Sequence, residues 1–556
     1  MIILGVSDSR DTGAALVIDG ELVAVEREER YARQRHTRQF PWTSIDLCLE
    51  AAGLRNRDVD IIAVAGRFSP PLIARRHPGL RPVLKPSAFS PFLDVEVFFQ
   101  AMLRQTGLGA ADADRASEWF EGVFSARGFK AQRVVMVDVH KALAAAAYQC
   151  QSDDDVLALT MQPLGDGVSF AVHLCNAGQI DRAWNQKGFS SLHVHLQRCS
   201  GAMGLQPWVE SRQLWSLASR GAPDADLTHV LDRTLRADGA RLAPRRYPVP
   251  THRGAPIYRA LSDAQPEVAA ASVLENLTDV VCELVKFHVR EQGVRDVVLG
   301  GAVWDNARLV AAVAALSDVD NVWCSPAPGW AELATGAACA VGGVAPHALP
   351  VGLGQEWAQS QISRALAAAG LRGVEASDRA ETTAGLLADG GGVARFGGRG
   401  GFGWTAMGTR SVLVRADDVQ AVATVREQLR RGQGDQPTLA WMATPDDGEI
   451  TDLKKAWEAS RFGTVAFEID EQFAARYPAG VTPDGRVHLM RVDPDGDAEL
   501  HSILAALHRR TGCAAVVCFP LAMDSDPTVS VPGDALRVWK ESDISSLLIG
   551  PFLVRQ

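Results

Sequence analysis

Residues 134–170 read VVMVDVHKALAAAAYQCQSDDDVLALTMQPLGDGVSF, and the reading of this stretch decides the fold. Val134–Val137 is an apolar run of the length of a buried strand. Asp138 and His140 follow, and then an alanine-rich helix over Ala142–Tyr148. A second apolar run, Val156–Met161, ends at a turn around Pro163, Gly165 and Gly167. Strand, polar corner, helix and second strand make an α/β unit. The crevice beside such a corner is a usual place for a ligand.

Working outward, Ile2–Val6 and Ala14–Ile18 read as strands around the polar turn Ser7–Gly13. Asp19-Gly20 is a type I′ hairpin signal, and Glu21–Val25 is the third strand. Asp60–Val64 is a further strand. Arg67–Pro91, rich in proline and arginine, reads as a surface excursion, and Leu93–Ala126 has helical spacing. Ala171–Leu174 and Gln179–Ala183 read as a hairpin, and Ala222–Tyr258 as polar and irregular. Pro266–Gln292 is a long amphipathic helix that leads to the strand Val297–Leu299 and a tight Gly300-Gly301 turn. Val344–Gly354 has the composition of a linker.

The chain has 556 residues, 47% of them hydrophobic, enough for several cores. A net charge of −10 argues against a nucleic-acid surface, which needs a basic patch. No apolar run has the length of a membrane span. The first residues look like a strand rather than a signal peptide. Nine cysteines lie scattered without a C-x-x-C pair, the usage of reduced thiols in a cytoplasmic protein.

Several segments resemble the O-carbamoyltransferases of nodulation-factor and antibiotic biosynthesis. GVSDSRDTGAALVIDGELVAVEREERYARQRH, residues 5–36, is similar to that family's opening, with Asp11, Glu28, Glu29, Arg30, Tyr31, Arg33 and His36 as the family has them. ARFGGRGGFGWTAMGTRSVL, residues 394–413, is similar to its Gly-Arg-x-Glu-Phe-Gly-Pro-Arg-Ala-Leu-Gly-x-Arg-Ser segment. The resemblance implies an α/β chain with an actin/sugar-kinase-like (ASKHA) N-terminal domain, residues 1–345. A linker, 346–356, and a smaller α/β YrdC-like C-terminal domain, 357–556, complete it.

The chemical positions depart from the family. Arg10 stands where the family has a histidine thought to act as base. Val139, Leu143, Gln162 and Trp330 stand at its metal-ligand positions. Divalent metals want His, Asp or Glu ligands, so no metal and no cofactor is expected. In the C-terminal segment the family's glutamate, proline and arginine are Gly401, Trp404 and Thr405, and Cys518–Ala522 replace a run of hydroxyls and amides. Glu210 is kept in a segment where Arg212 replaces a lysine. Glu332 and Leu333 replace a Gly-Thr pair.

The candidate catalytic residues are His36, His140, Asp11 and Glu29. Arg10, Arg30, Arg33, Asp166, Asp305, Trp330 and Glu332 are candidates for holding substrate, and Arg399, Arg410 and Ser411 for a vestigial nucleotide site. Each has a plainer reading. His140 is also a hydrogen-bonded histidine at a helix start. Glu28, Arg30 and Arg33 are also a structural ion-pair run. Asp166-Gly167 is also ordinary turn chemistry.

Three functions compete. In the first, a repurposed biosynthetic protein binds a hydroxylated amino intermediate without metal or ATP chemistry. It promotes transfer or ring closure with a second pathway enzyme in a heteromeric complex, or as a homodimer. The second is a non-catalytic scaffold subunit. The third is an O-carbamoyltransferase using carbamoyl phosphate and ATP.

Overall fold

A computed structural model describes the chain apart from residues 78–99, 101, 105, 152–154, 189, 206–211, 244–251, 344–348, 404–405, 431–437, 443–455, 458 and 525. Glu210, Trp404, Thr405 and the start of the expected linker fall outside the described residues. Two compact units are present. The first comprises Met1–Val23, Arg38–Pro41 and Leu54–Ala348, the second Ala24–Thr37, Trp42–Gly53 and Leu349–Gln556.

In the first unit β1 (Ile2–Ser7) and β2 (Gly13–Ile18) are antiparallel, with Ile2 opposite Ile18 and Ser7 opposite Gly13. Asp19 (φ 50°) and Gly20 (φ 89°) make the left-handed turn into β3 (Glu21–Arg27), whose last residues pass into the second unit. β4 (Ile61–Ala65) and β5 (Arg133–Val137) add in parallel, giving the order β3-β2-β1-β4-β5.

The pattern then repeats. β6 (Val156–Gly165), β7 (Val168–Asn176) and β8 (Gln179–Lys187) form an antiparallel meander. β9 (Arg236–Asp238) and β10 (Arg241–Ala243) stand apart as a small hairpin. β11 (Asp296–Gly300) and β12 (Asn321–Cys324) then add to β6 in parallel, giving β12-β11-β6-β7-β8. Read from the meander outward, both sheets have the order third, second, first, fourth, fifth, with the same strand senses. This is the doubled α/β arrangement expected of an actin- or sugar-kinase-like domain.

Helix α1 (Val139–Tyr148) follows β5, α2 (Leu192–Ala202) follows β8, α3 (Pro266–Gln292) precedes β11, and α4 (Leu333–Gly342) follows β12. The small residues of α1 and α4 have a packing cause. A Cβ on Gly336 of α4 would collide with the carbonyl of Ala142, and one on Gly5 of β1 with that of Ala334. Backbones touch there, so only glycine fits at these two positions. α3 spans the residues its periodicity marks and ends at Gly293 in the left-handed conformation.

Two stretches differ from their sequence reading. Arg67–His77 lies at the surface on one side and is anchored into the unit on the other. Phe68 and Leu72 are buried, and Arg75 makes a buried ion pair with Asp8 at 3.2 Å while donating to the carbonyls of Gly66 and Pro70. Residues 78–91 of that stretch lie outside the described residues. The stretch read as irregular holds a helix, Ala225–Thr234, besides the β9–β10 hairpin. Leu227, Val230 and Leu231 give that helix a short apolar period, and a polar sequence surrounds it.

The second unit is built on one mixed sheet. Its strands are β13 (Val374–Glu375), β14 (Val393–Phe396), β15 (Arg410–Arg415), β16 (Thr438–Met442), β17 (Val465–Glu468), β18 (Arg486–Val492), β19 (Ala515–Pro520), β20 (Ser546–Ile549) and β21 (Phe552–Arg555). Their order is β13-β21-β20-β14-β15-β19-β16-β18-β17. Arg395 on the central strand β14 is buried. It binds Asp497 at 3.0 Å and Glu499 at 2.9 Å, at the start of helix α5 (Ala498–Thr511). Asp497 also caps that helix through the amide of Leu500.

Candidate functional site

The corner between β5 and α1 is a polar knot inside the first unit. Asp138 caps α1 through the amides of His140 and Lys141, and its carboxylate meets Arg104 (2.8 Å) and Arg182. Burial raises its pKa, but the two guanidinium groups outweigh burial and hold the carboxyl below its ordinary range. Asp166, in the left-handed turn between β6 and β7, accepts from the amides of Arg67 (2.9 Å), Phe68 (2.7 Å) and Val139 (2.9 Å). Burial and the neighbouring Asp138 push its carboxyl up against those three donors. Asp166 is therefore more than a turn residue, because it ties the starts of two segments to the β6–β7 turn.

His140 is fully buried. Its Nε2 lies 3.0 Å from the Val168 carbonyl and its Nδ1 lies 2.8 Å from the Thr160 hydroxyl. A carbonyl only accepts, so Nε2 carries the proton and Nδ1 is the acceptor facing the Thr160 hydroxyl, which also lies 3.2 Å from the Ala171 carbonyl. Burial lowers the imidazole pKa to about 4, so it stays neutral at pH 7. Both nitrogens are committed, and the plainer reading of His140 is the one the geometry follows; this placement does not suit a base at neutral pH.

The positions expected to replace metal ligands can be tested against their surroundings. Val139 and Leu143 are fully buried aliphatic side chains. Gln162 uses its carboxamide oxygen to accept from the amide of Ala302 at 2.8 Å. Trp330 is a half-buried indole in the turn before α4. This donor set does not fit a divalent cation.

Glu332 turns inward rather than toward a substrate. It is 2% exposed, and its Oε1 accepts from the amides of Gly301 (2.8 Å) and Gly329 (2.9 Å). Burial pushes its pKa up to about 7, against the Gly329 amide, the Ser325 hydroxyl and the Gly301 amide. Asp305 is half-buried in the turn Ala302–Asp305 that follows Gly301. Asp11 is buried in the first β-turn with φ 56°, and Arg10 beside it is half-buried.

One element escaped the sequence reading. Ten of the eleven residues of α2 are buried, including His193, His195, Gln197 and Arg198. Nε2 of His193 lies 3.0 Å from Nε2 of Gln197, and Nε2 of His195 lies 3.7 Å from the Cys199 thiol. Burial, and then the charge of Arg10, lowers the His193 pKa to about 3. The signal available was His-x-His followed by a glutamine and an arginine, which has no apolar face.

In the second unit the Glu28–His36 run makes many contacts within the unit. Glu28 accepts from the Ser44 amide and hydroxyl, both at 2.8 Å, near the start of helix Trp42–Ala51. Glu29 is buried, pairs with Arg27 at 2.6 Å and accepts from the His36 amide at 3.1 Å. Arg30 is buried and donates to the carbonyls of Gly401 (2.6 Å) and Gly403 (3.1 Å), and Arg33 donates to that of Pro527 (2.8 Å). Arg399 donates to the carbonyls of Leu353 and Gly354. Arg410 donates to those of Gly397, Gly398, Thr409 and Gln355, with the Phe396 ring 4.0 Å from its guanidinium carbon. Burial lowers its pKa to about 10. Ser411 is buried in β15.

The arrangement agrees with comparison to known families. Residues 2–339 match the carbamoyltransferase N-terminus and residues 384–556 the carbamoyltransferase C-terminus. The chain belongs to the carbamoyltransferase family. Nodulation protein NolNO of Sinorhizobium fredii is 23% identical, over 98% of this chain and 79% of its own length. The Synechocystis protein sll1178 is 24% identical over 99% of this chain and 96% of its own. Among solved structures, full-length HypF in the phosphate- and nucleotide-bound form covers 61% of this chain and 55% of its own, at 10% identity and TM-score 0.33. The ROK hexokinase of Thermus thermophilus covers 61% and 98%, at 13% and 0.29. Those scores are too low to bear on the carbamoyltransferase site.

Two measurements follow from this geometry. Asp166→Asn should lower folding stability by roughly 2–3 kcal/mol, because a carboxamide cannot accept from all three amides as a carboxylate does. A urea midpoint that falls with unchanged slope checks this. The raised carboxyl of Glu332 holds its proton more tightly folded than unfolded. Its contribution to stability is therefore lost as pH rises from the ordinary 4.5 to about 7. Glu332→Gln should remove that loss, worth about 3 kcal/mol. The variant-minus-wild-type difference in melting temperature should climb across this window and be flat above it.

Proposed function

We propose that this carbamoyltransferase-family protein serves natural-product biosynthesis without the metal and ATP chemistry of a carbamoyl donor. It binds a hydroxylated amino intermediate and promotes transfer or ring closure together with a partner enzyme. The carrying observation is the donor set at the four metal positions: two buried aliphatic side chains, a carboxamide already engaged by Ala302, and an indole. The hydrogen bonds of Arg399 and Arg410 to backbone carbonyls support the same reading, since those N–H groups are turned to the chain itself. One relative is named a nodulation protein, and the pathway assignment is proposed from that likeness.

The chemistry left to such a protein is positioning. Holding two reacting groups in an attack geometry removes several kcal/mol of barrier without a metal. His36, half-buried and held at φ 53°, is the candidate to take a proton, and Glu29 to pair with an amine.

The scaffold-subunit reading also has an observation in its favour. His140, Arg30, Arg33, Arg399 and Arg410 all make contacts that build the fold. On that reading the family's site is used up as structure.

Purified protein should carry no stoichiometric iron, manganese or zinc. Calorimetry with ATP and with carbamoyl phosphate should show nothing tighter than about millimolar, roughly −4 kcal/mol. Stoichiometric metal or micromolar ATP would return the chain to the ordinary O-carbamoyltransferase reaction. The choice between positioning enzyme and scaffold rests on His36→Gln in the complex reconstituted with its partner enzyme. Product formation should drop by at least tenfold with assembly unchanged on gel filtration. Full activity would leave the scaffold reading.

A further inference from the structure

The sheet of the second unit has one place where its chain divides. β14 and β20 are parallel neighbours with Phe396 opposite Ile549, so both strands finish at the same level. From there the chain leaves in opposite directions. β14 is followed by β15 on one side of it, and β20 by β21 on the other. Where adjacent parallel strands send their chains apart at their carboxyl ends a crevice opens, and such crevices are where α/β sheets take ligands. A cavity of about 250 Å³ lies at this place, lined by Gly397 and Gly398 after β14 and by Gly550 after β20. It has room for a small organic molecule rather than for a single water or ion.

The walls are held by contacts of their own. The amide of Gly550 donates to the Phe396 carbonyl at 2.8 Å and ties the two strand ends together. Ile362 sits on Gly550 so closely that a Cβ there would come within 2.4 Å of it. Trp357, half-buried, donates its indole N–H to the Ser530 carbonyl at 2.7 Å. Gly398 is exposed at φ 60°, and a Cβ on it would meet nothing within 4 Å. A ligand thus finds fixed walls and an open edge, and little has to be ordered on binding.

The charges around the cavity decide what it takes. Its one guanidinium group, Arg379, is already held by Glu499 at 2.6 Å. Glu499 also pairs with Arg395, which binds Asp497, so two arginines and two carboxylates balance there. Glu356 is the remaining charge on the lining. It is exposed and makes no hydrogen bond or ion pair among the described residues. An anion would meet this carboxylate with the nearby guanidinium already taken. A cation would meet the carboxylate and the indole of the adjacent Trp357 together.

We propose that the cavity where β14 and β20 diverge binds a small organic ammonium ion, held by the Glu356 carboxylate against Trp357. The proposal goes beyond the functional reading above and does not depend on it, since such a site is compatible with a positioning enzyme and with a scaffold.

Binding is read on the full-length protein by saturation-transfer NMR titration at neutral pH and matched ionic strength. The probe is benzylammonium, and benzyl alcohol is its uncharged counterpart of the same size. Wild type should bind benzylammonium roughly tenfold more tightly than the alcohol, from one carboxylate pair and one ring face. Glu356→Gln should bring the two probes to within about threefold of each other, with the melting temperature of wild type. Gly398→Asn puts a side chain at the open edge in a residue that accepts the left-handed backbone. It should weaken both probes by roughly fivefold or more. Wild type binding the alcohol as tightly as the ammonium, or binding neither, would overturn the proposal. So would a preference for benzylammonium that survives in Glu356→Gln, or probe binding that Gly398→Asn leaves unchanged. The Glu356→Gln comparison decides by itself if Gly398→Asn does not fold.

Discussion

A buried main-chain amide that no strand or helix partner reaches must find an acceptor, or the fold loses a kilocalorie or more for each one. This chain meets that demand with side-chain oxygens. Asp166 takes the amides of Arg67, Phe68 and Val139, Glu332 those of Gly301 and Gly329, Gln162 that of Ala302, and Glu28 that of Ser44. The converse demand, buried carbonyls at irregular turns, is met by guanidinium groups. Arg410 alone serves four, and Arg30 and Arg399 serve two each. A polar group used this way is fixed in place and desolvated, and it has little left to offer a ligand. These polar groups act here as joints of the structure.

The joints sit where they do because the sheets end there. In each sheet of the first unit a meander is extended by two parallel strands, so several strands finish at one end in turns whose amides lie outside the strand pairing. Close backbone contacts at Gly5 and Gly336 let α4 lie near enough for the turn ahead of it to carry Glu332 onto Gly301. Helix packing and polar satisfaction are thus parts of one arrangement.

Much of this was legible in the sequence. The Asp19-Gly20 turn, the long helix Pro266–Gln292 and the Gly300-Gly301 turn carry local signals, since turn chemistry, period and capping are written in adjacent residues. That Val139 and Leu143 offer no ligand atom follows from residue type alone, whatever surrounds them. What could not be read were the partners. Nothing near Arg75 announces that it will be buried on Asp8, and a charged, proline-rich stretch looks solvated until a distant carboxylate is placed beside it. α2 has polar residues on every side yet is buried, against the usual meaning of such a pattern. His140 and Glu332 look reactive as letters. Only the atoms around them show that one is a neutral hydrogen-bonding post and the other a buried acceptor for two main-chain amides.

The composition of the second unit has a consequence for how the protein is made. Its sheet comes from Leu349–Gln556, but Ala24–Thr37 and Trp42–Gly53 belong to the same body. Val25 donates to the Leu353 carbonyl, Arg30 holds the loop at Gly401 and Gly403, and Arg33 reaches Pro527 and Asp526. During synthesis these early segments leave the ribosome long before their partners exist, and they must wait until the last strands emerge. The two ends of the chain are closed together in one late step of high contact order, the kind that is slow and prone to misassembly. A cut between the two halves of the sequence would not release two self-sufficient domains. The carboxyl-terminal piece would lack the arginines that hold its central loop, and the amino-terminal piece would carry them with nothing to bind.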